Sequence, residues 1–236
     1  MRNLIQMRWT VISIAVAGSL SLARTAPAQT AAIPLNANTK LVLTNTRAIP
    51  IDYRGKAALR LAPLVGHERD TDQEMSALLP DTDFGDGTIE VDVVGGRRAG
   101  YATDNASAFK GFVGISFRIH GDTAERFYLR TENARLDDQL FRNRSTQYEA
   151  DPAYPWPRLR QESAGVYESY VDLEPGAWTH VKIEVSGTKA RLYVNGATQP
   201  CLIVNDLKNG ASRGKVALWT RISSDAYFAN LRITAK

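Results

Sequence analysis

The chain has 236 residues, 44% of them apolar and 23% charged, which is enough for one large packed core and too regular in polarity for disorder. Its net charge is +4, but Arg2, Arg8 and Arg24 lie in the first 28 residues, which hold no acid, so residues 29–236 carry +1. With no run of Lys or Arg, that balance speaks against a nucleic-acid partner. The single cysteine, Cys201, excludes an internal disulfide.

Residues 1–28 read as a signal peptide. Arg2 and Arg8 form a positive start, residues 11–22 an apolar stretch, and Ala26-Pro27-Ala28 a small-x-small cleavage pattern. The apolar stretch is short for a membrane span and none follows it. The expectation is an exported protein, periplasmic or extracellular, starting near Gln29. Residues 29–39 are expected to be a flexible lead, and residues 40–236 one domain.

Strands are expected at 41–44, 49–53, 57–61 and 74–79, with a tight turn at Arg54-Gly55. Residues 81–87, rich in Asp and Gly, read as a turn. Asp81, Asp83 and Asp86 are the candidates for a bound Ca²⁺, although their spacing is not that of an EF-hand loop; no other cofactor is expected. Residues 88–94 alternate, with Ile89, Val91 and Val93 on one face and Glu90 and Asp92 on the other. Residues 95–107 read as a loop.

Residues 110–132 form the most informative stretch. Val113, Ile115, Phe117 and Ile119 alternate with small or polar residues, and Phe127 and Leu129 alternate with Arg126, Tyr128, Arg130 and Glu132. Gly121-Asp122-Thr123 supplies the turn of an antiparallel hairpin. Placing Ile119 opposite Phe127 sets Arg118 opposite Tyr128, Ser116 opposite Arg130 and Gly114 opposite Glu132. One face of the sheet is then oily. The other, expected to be concave, bears Arg118, Tyr128, Arg130 and Glu132, either as solvated surface or as a ligand platform.

Residues 133–160 are polar and irregular in pattern, and read as a long loop. Pro152, Pro155 and Pro157 exclude a central strand or helix and hold Tyr154 and Trp156 rigidly. The loop is expected to fold back over the hairpin's polar face, its arginines meeting Glu90, Asp92 and Glu132, with Gln147, Tyr148 and Trp156 joining the site. Further strands are expected at 167–173, 178–185, 190–194, 201–204, 214–220 and 227–233, with Asn195-Gly196 a hairpin turn and 206–209 the only helical turn. Cys201 lies in one of these strands, as a buried and inert thiol. Short strands spaced by turn signals make an all-β, two-sheet antiparallel sandwich.

The segments Phe84 to Asp92, Phe112 to Arg118, Trp178 to Val185, Ala190 to Gly196, Gly214 to Trp219 and Tyr227 to Leu231, in that order, resemble the concanavalin A-like lectin/glucanase superfamily, closest to its laminin-G-like and bacterial exported branches. The resemblance covers residues 40–234. It implies a jelly-roll sandwich, a fold that hosts lectins, hydrolases, lyases and adhesion modules, so it leaves activity open. The superfamily's laminarinase-type hydrolases carry Glu-x-Asp-x-(x)-Glu on one strand. Glu90 and Asp92 match its first two acids and the third is absent, whereas a retaining mechanism needs two carboxyls about 5–5.5 Å apart.

The leading expectation is therefore an exported glycan-binding domain with Arg118, Tyr128, Arg130, Glu132, Gln147, Tyr148 and Trp156 as ligand contacts. The alternatives are a polysaccharide hydrolase or lyase on the same face, or a non-catalytic adhesion or scaffold module. Glu90, Asp92, Glu132 and His120 are the candidate catalytic groups. A lyase could instead use Tyr128 or Tyr148 as base, with Arg130 neutralising a uronate.

Overall fold

The computed structural model describes residues 29–69, 73–101 and 110–236; the expected signal peptide and its cleavage point lie outside them. Two antiparallel sheets pack face to face. The first runs in the order β13 (Leu202–Val204), β12 (Lys189–Val194), β11 (Thr179–Ser186), β6 (Gly87–Arg97), β15 (Ser224–Ala235), β4 (Lys56–Pro63), β3 (Thr46–Tyr53), and β1 (Gln29–Ile33) joins it on β15. The second runs β10 (Glu168–Ser169), β9 (Thr146–Asp151), β8 (Thr123–Arg130), β7 (Phe112–His120), β14 (Gly214–Arg221), β5 (Glu74–Phe84), β2 (Val42–Thr44).

Period-two alternation builds the core. Ile89, Val91 and Val93 of β6 meet Val113, Ile115 and Phe117 of β7 and Phe127 and Leu129 of β8, all at most 2% exposed. The tight turns match the sequence chemistry: Arg54 and Gly55, and Asn195 and Gly196, all have positive φ. The result is the expected two-sheet antiparallel jelly-roll sandwich.

Several local expectations are corrected. The lead at 29–39 contains β1, which pairs with Leu231–Ala235 and is followed by the buried Leu35. The stretch 133–160 is not one loop. It holds a 3-10 turn (Thr131–Arg135), α1 (Gln139–Arg142), the inner strand β9 and α2 (Trp156–Glu162). Pro155 caps α2 and Pro157 lies in its first turn, where a missing N–H costs nothing. The strand expected at 167–173 is only the two-residue β10, and 206–209 is a turn rather than a helix.

The hairpin register also differs. Ile115, not Ile119, lies opposite Phe127, so Gly114 faces Tyr128 and Ser116 faces Arg126. A tight turn at Gly121-Asp122 pairs His120 with Thr123, and a bulge between Phe117 and His120, where Arg118 takes φ +52°, absorbs the offset.

Candidate functional site

The outward face of the seven-stranded sheet carries the densest polar and aromatic chemistry. Alternation puts Phe112, Gly114 and Ser116 of β7, Arg126, Tyr128 and Arg130 of β8, and Gln147, Glu149 and Asp151 of β9 on this face; Trp219 of β14 joins them. The register sets Trp219, Gly114, Tyr128 and Gln147 side by side across four strands. Gly114 has no room for a side chain: a Cβ there would lie 2.5 Å from the Phe127 carbonyl oxygen and from the Tyr128 Cβ.

Tyr128 and Trp219 pack with ring centroids 4.8 Å apart, and Phe112 stands 5.8 Å from Tyr128 and 6.1 Å from Trp219. Two arginines frame this aromatic floor. Arg130 donates to the Tyr128 hydroxyl (2.9 Å), to the Gln147 Oε1 (3.2 and 3.3 Å) and to the Arg144 carbonyl (3.0 Å). The Gln147 amide N–H₂ is tied to the Tyr148 and Tyr167 carbonyls, which fixes the orientation of the oxygen that Arg130 uses. Arg126 lies over the Trp219 ring at 4.6 Å and donates to Ser116 (2.9 Å), Glu149 (2.5 Å), Asp151 (2.5 Å) and Glu74 (3.4 Å). Glu74 in turn accepts from the Trp219 indole at 3.0 Å.

Three carboxylates thus share one guanidinium. Burial pushes the Glu149 and Asp151 carboxyls above their usual range; Arg126 opposes the shift and the neighbouring acids add to it. A buried charge network of this kind holds only when fully hydrogen-bonded, as it is here.

Two cavities open on this face, either side of the Tyr128–Trp219 pair. One, of about 300 Å³, is lined by Glu74, Ser116, Arg126, Asp151, Trp219 and residues of β2 and the β7–β8 turn. The other, of about 380 Å³, has Phe112, Tyr128, Phe141 and Trp156 as its aromatic lining and Arg130 in its wall. The segment 133–160 supplies Asn133, Phe141, Arg144, Trp156 and Arg160 to that wall. Trp156, 38% exposed, stands at the rim with the Arg160 guanidinium 4.6 Å from its ring. A larger cavity of about 710 Å³ lies beside β1, lined by Ile33, Leu79 and Ile233 with Asp81 and Asp83, but has no aromatic residue.

Of the residues named from the sequence, Tyr128, Arg130, Gln147 and Trp156 come together here. The others do not. Arg118, swung aside by the bulge, is 2% exposed and donates to the Gly85 and Gly210 carbonyls and to Asp86. Tyr148 faces the core, where its hydroxyl donates to the buried Glu125 at 2.5 Å. Glu132, past the end of β8, accepts from the Arg97 backbone N–H. His120 is exposed at the hairpin tip. Glu90 and Asp92 lie on the outward face of the other sheet, away from the arginines of 133–160. Asp92 there accepts from Lys56 (2.6 Å) and Asn230 (2.7 Å) and lies 2.8 Å from His180 Nδ1, with Glu90 3.7 Å from Nε2 of the same ring.

The three aspartates considered for calcium each hold a different cation: Asp81 Lys40, Asp83 Arg213 and Asp86 Arg118. Among the described residues no three His, Cys, Asp or Glu side chains converge as a metal site. Burial pushes the Cys201 thiol up to about 12, and its Sγ lies 3.4 Å from the Leu192 carbonyl oxygen. The sequence reading missed Trp219, Glu149, Asp151 and Glu74. The alternation of Gln147, Glu149 and Asp151 against Tyr148 and Ala150 was the available signal.

Among solved structures the chain is similar to a protein of unknown function with a galectin-like fold from Bacillus subtilis (12% identity, 86% of this chain and 94% of that one, TM-score 0.56). It is also similar to the carbohydrate binding module CBM66 from Bacillus subtilis (14%, 81% and 94%, 0.52) and to a candidate glycosyl hydrolase from Parabacteroides distasonis (11%, 88% and 100%, 0.52). At these identities the likeness is one of fold. No curated protein matches the sequence significantly. The model of one family does match, over residues 60–234, and on that match the chain belongs to the 3-keto-alpha-glucoside-1,2-lyase-like domain family.

Proposed function

We propose that this protein binds a saccharide across the outward face of the seven-stranded sheet, with Tyr128, Arg130, Gln147 and Trp156 among its contacts. The observation that carries the reading is the cavity of about 380 Å³ that Phe112, Tyr128, Phe141 and Trp156 line beside a fully oriented Arg130, with the exposed Trp156 ring at its rim. Apolar sugar faces stack on rings, and hydroxyls take the fixed donors and acceptors around them. The likeness in fold to a carbohydrate binding module supports it, as does the export pattern expected in residues 1–28.

The test is calorimetric titration with a panel of neutral and acidic oligosaccharides, repeated on Trp156→Ala. The variant should bind about tenfold more weakly while its Tm stays within a few degrees, because a rim side chain contributes little to the core. Absence of any binding by the wild type, or unfolding of the variant, would overturn the assignment.

A second reading, cleavage of a 3-keto glycoside, is favoured by the carboxyls around Arg126 and by the family's name. A ketone at C3 acidifies the C2 proton. A carboxylate takes that proton, the C1–O bond breaks as the C1=C2 bond forms, and an acid protonates the departing oxygen. Glu74 and Asp151 both line the smaller cavity, and the raised pKa of Asp151 suits proton transfer. Release of aglycone from a 3-keto-α-glucoside, lost in Asp151→Asn with binding retained, would establish it.

A further inference from the structure

The larger cavity on this face has an unbalanced wall. Lys110, Arg130, Arg144, Arg160 and Arg221 line it, and among the described residues no carboxylate does. Some of this charge is met from behind. Glu168 holds Arg160 at 2.5 Å and Arg144 at 3.4 Å, and Glu74 lies 3.6 Å from Arg221. Two cations form no ion pair with an acid of the described residues. Arg130, 5% exposed, has only neutral partners: a phenol, an amide oxygen and a backbone carbonyl. Lys110 sits 4.2 Å over the Phe141 ring with no acid of the described residues in ion-pair range. Burial, with the adjacent Arg130 and Arg144, holds its ammonium below the usual lysine range, and Asp138 opposes that shift without overcoming it.

A second observation is independent of charge. Asn133, 1% exposed, lines the same cavity with its Nδ2 on the Arg144 carbonyl, and its buried Oδ1 has no hydrogen-bond partner. Buried polar atoms in folded proteins are nearly always satisfied. This one belongs to a residue of the cavity wall and lacks such a partner.

We infer that the ligand of this cavity is an acidic saccharide, its carboxylate or sulfate ester lying between Arg130 and Lys110, with a hydroxyl on Asn133 Oδ1 and a ring face on Trp156. The inference rests on the saccharide-binding reading and narrows it to a chemical class. Gln147, Tyr128 and the Arg144 carbonyl fix the guanidinium of Arg130 in place, so its positive charge is presented to the cavity without reorganisation.

The test titrates three probes into the wild-type protein: a trigalacturonate, the same trisaccharide as its methyl ester, and a sulfated trisaccharide. At least one of the two anionic probes should bind about tenfold or more tighter than the neutral ester. That preference should shrink as salt is raised. Arg130→Gln should abolish the preference, costing the anionic probes about tenfold more affinity than it costs the ester. Lys110→Glu, at a half-buried position outside the sheet, should do the same and stands in if Arg130→Gln fails to fold. Either anion supports the inference, and the two arms tell which group is taken. Equal binding of ester and acids, or preference for a neutral oligosaccharide from the panel, overturns the acidic class and leaves saccharide binding standing. Binding of no saccharide at all overturns both.

Discussion

Single residues show how context reassigns a side chain. Glu125 alternates with Ala124 and Arg126 and looks in sequence like a surface acid, yet it is fully buried. It accepts from the Tyr148 hydroxyl (2.5 Å) and the Asn209 backbone N–H (2.9 Å), and burial pushes its carboxyl up. Glu125→Ala would strand both donors in the core, so stability should fall by about 3 kcal/mol in chemical denaturation. A loss under about 1 kcal/mol would show that water replaces the carboxylate there. Asp92 behaves in the opposite sense. Burial alone would raise its pKa, but hydrogen bonds from Lys56, Asn230 and His180 outweigh that and lower it. The folded state therefore favours the charged form. The resulting stability is present above the pKa of an unfolded aspartate, about 3.9, and is lost as pH falls through the lower folded value. Asp92→Asn should be less stable than wild type at neutral pH, and the gap should close as the solution is acidified. Urea melts at stepped pH would show it, and a gap that does not narrow would refute the pairing.

At the scale of elements, the β7–β8 hairpin sets the site. Its strands and its turn were legible from alternation and from Gly121-Asp122. Its register was not, because a bulge is a local backbone choice that any of several residues could host, and here Arg118 hosts it. That choice removes Arg118 from the outward face and brings Gly114 against Tyr128. Gly114→Ala would drive a methyl into the neighbouring strand, costing about 2 kcal/mol. It should also loosen the Tyr128–Trp219 pair, read as a shift in tryptophan emission with weaker saccharide binding. Unchanged emission and affinity would show that the sheet relaxes around the methyl. Strand β9 went unread because its alternation is short and its inward face mixes Tyr148 with the small Thr146 and Ala150, in a stretch whose prolines suggested a loop. Its outward Gln147, Glu149 and Asp151 gain their partners from β8, a neighbour the local sequence does not reveal.

For the whole molecule, the two sheets divide labour. The seven-stranded sheet presents the candidate site, and the eight-stranded sheet backs it through the shared core. β1 belongs to the second of these, covering the β15 edge that β4 leaves open. Comparing residues 29–236 with 34–236 should therefore lower Tm by roughly 5 °C through the lost edge strand. Saccharide affinity should stay unchanged, since β1 touches nothing on the site face; a parallel loss of binding in titration would couple the two sheets.

The sequence alone determined the class of fold. Period-two alternation, Asn-Gly and Arg-Gly turns and the absence of long helical periodicity are local signals, and a strand needs no knowledge of its partner to be recognised as half-buried. It also placed Tyr128, Arg130, Gln147 and Trp156 among the residues of interest. Only the tertiary structure decided which of the polar candidates share a surface. Alternation says that Glu90, Asp92, Tyr128 and Arg130 all point away from a core, but not which sheet each strand joins. Strand order, one bulge and the return of residues 133–160 as β9 and α2 set Glu90 and Asp92 on the far side. The same pairings brought Arg126, Glu149, Asp151 and Trp219, distant in sequence, to one face, because pairing energy is decided between strands and not along them.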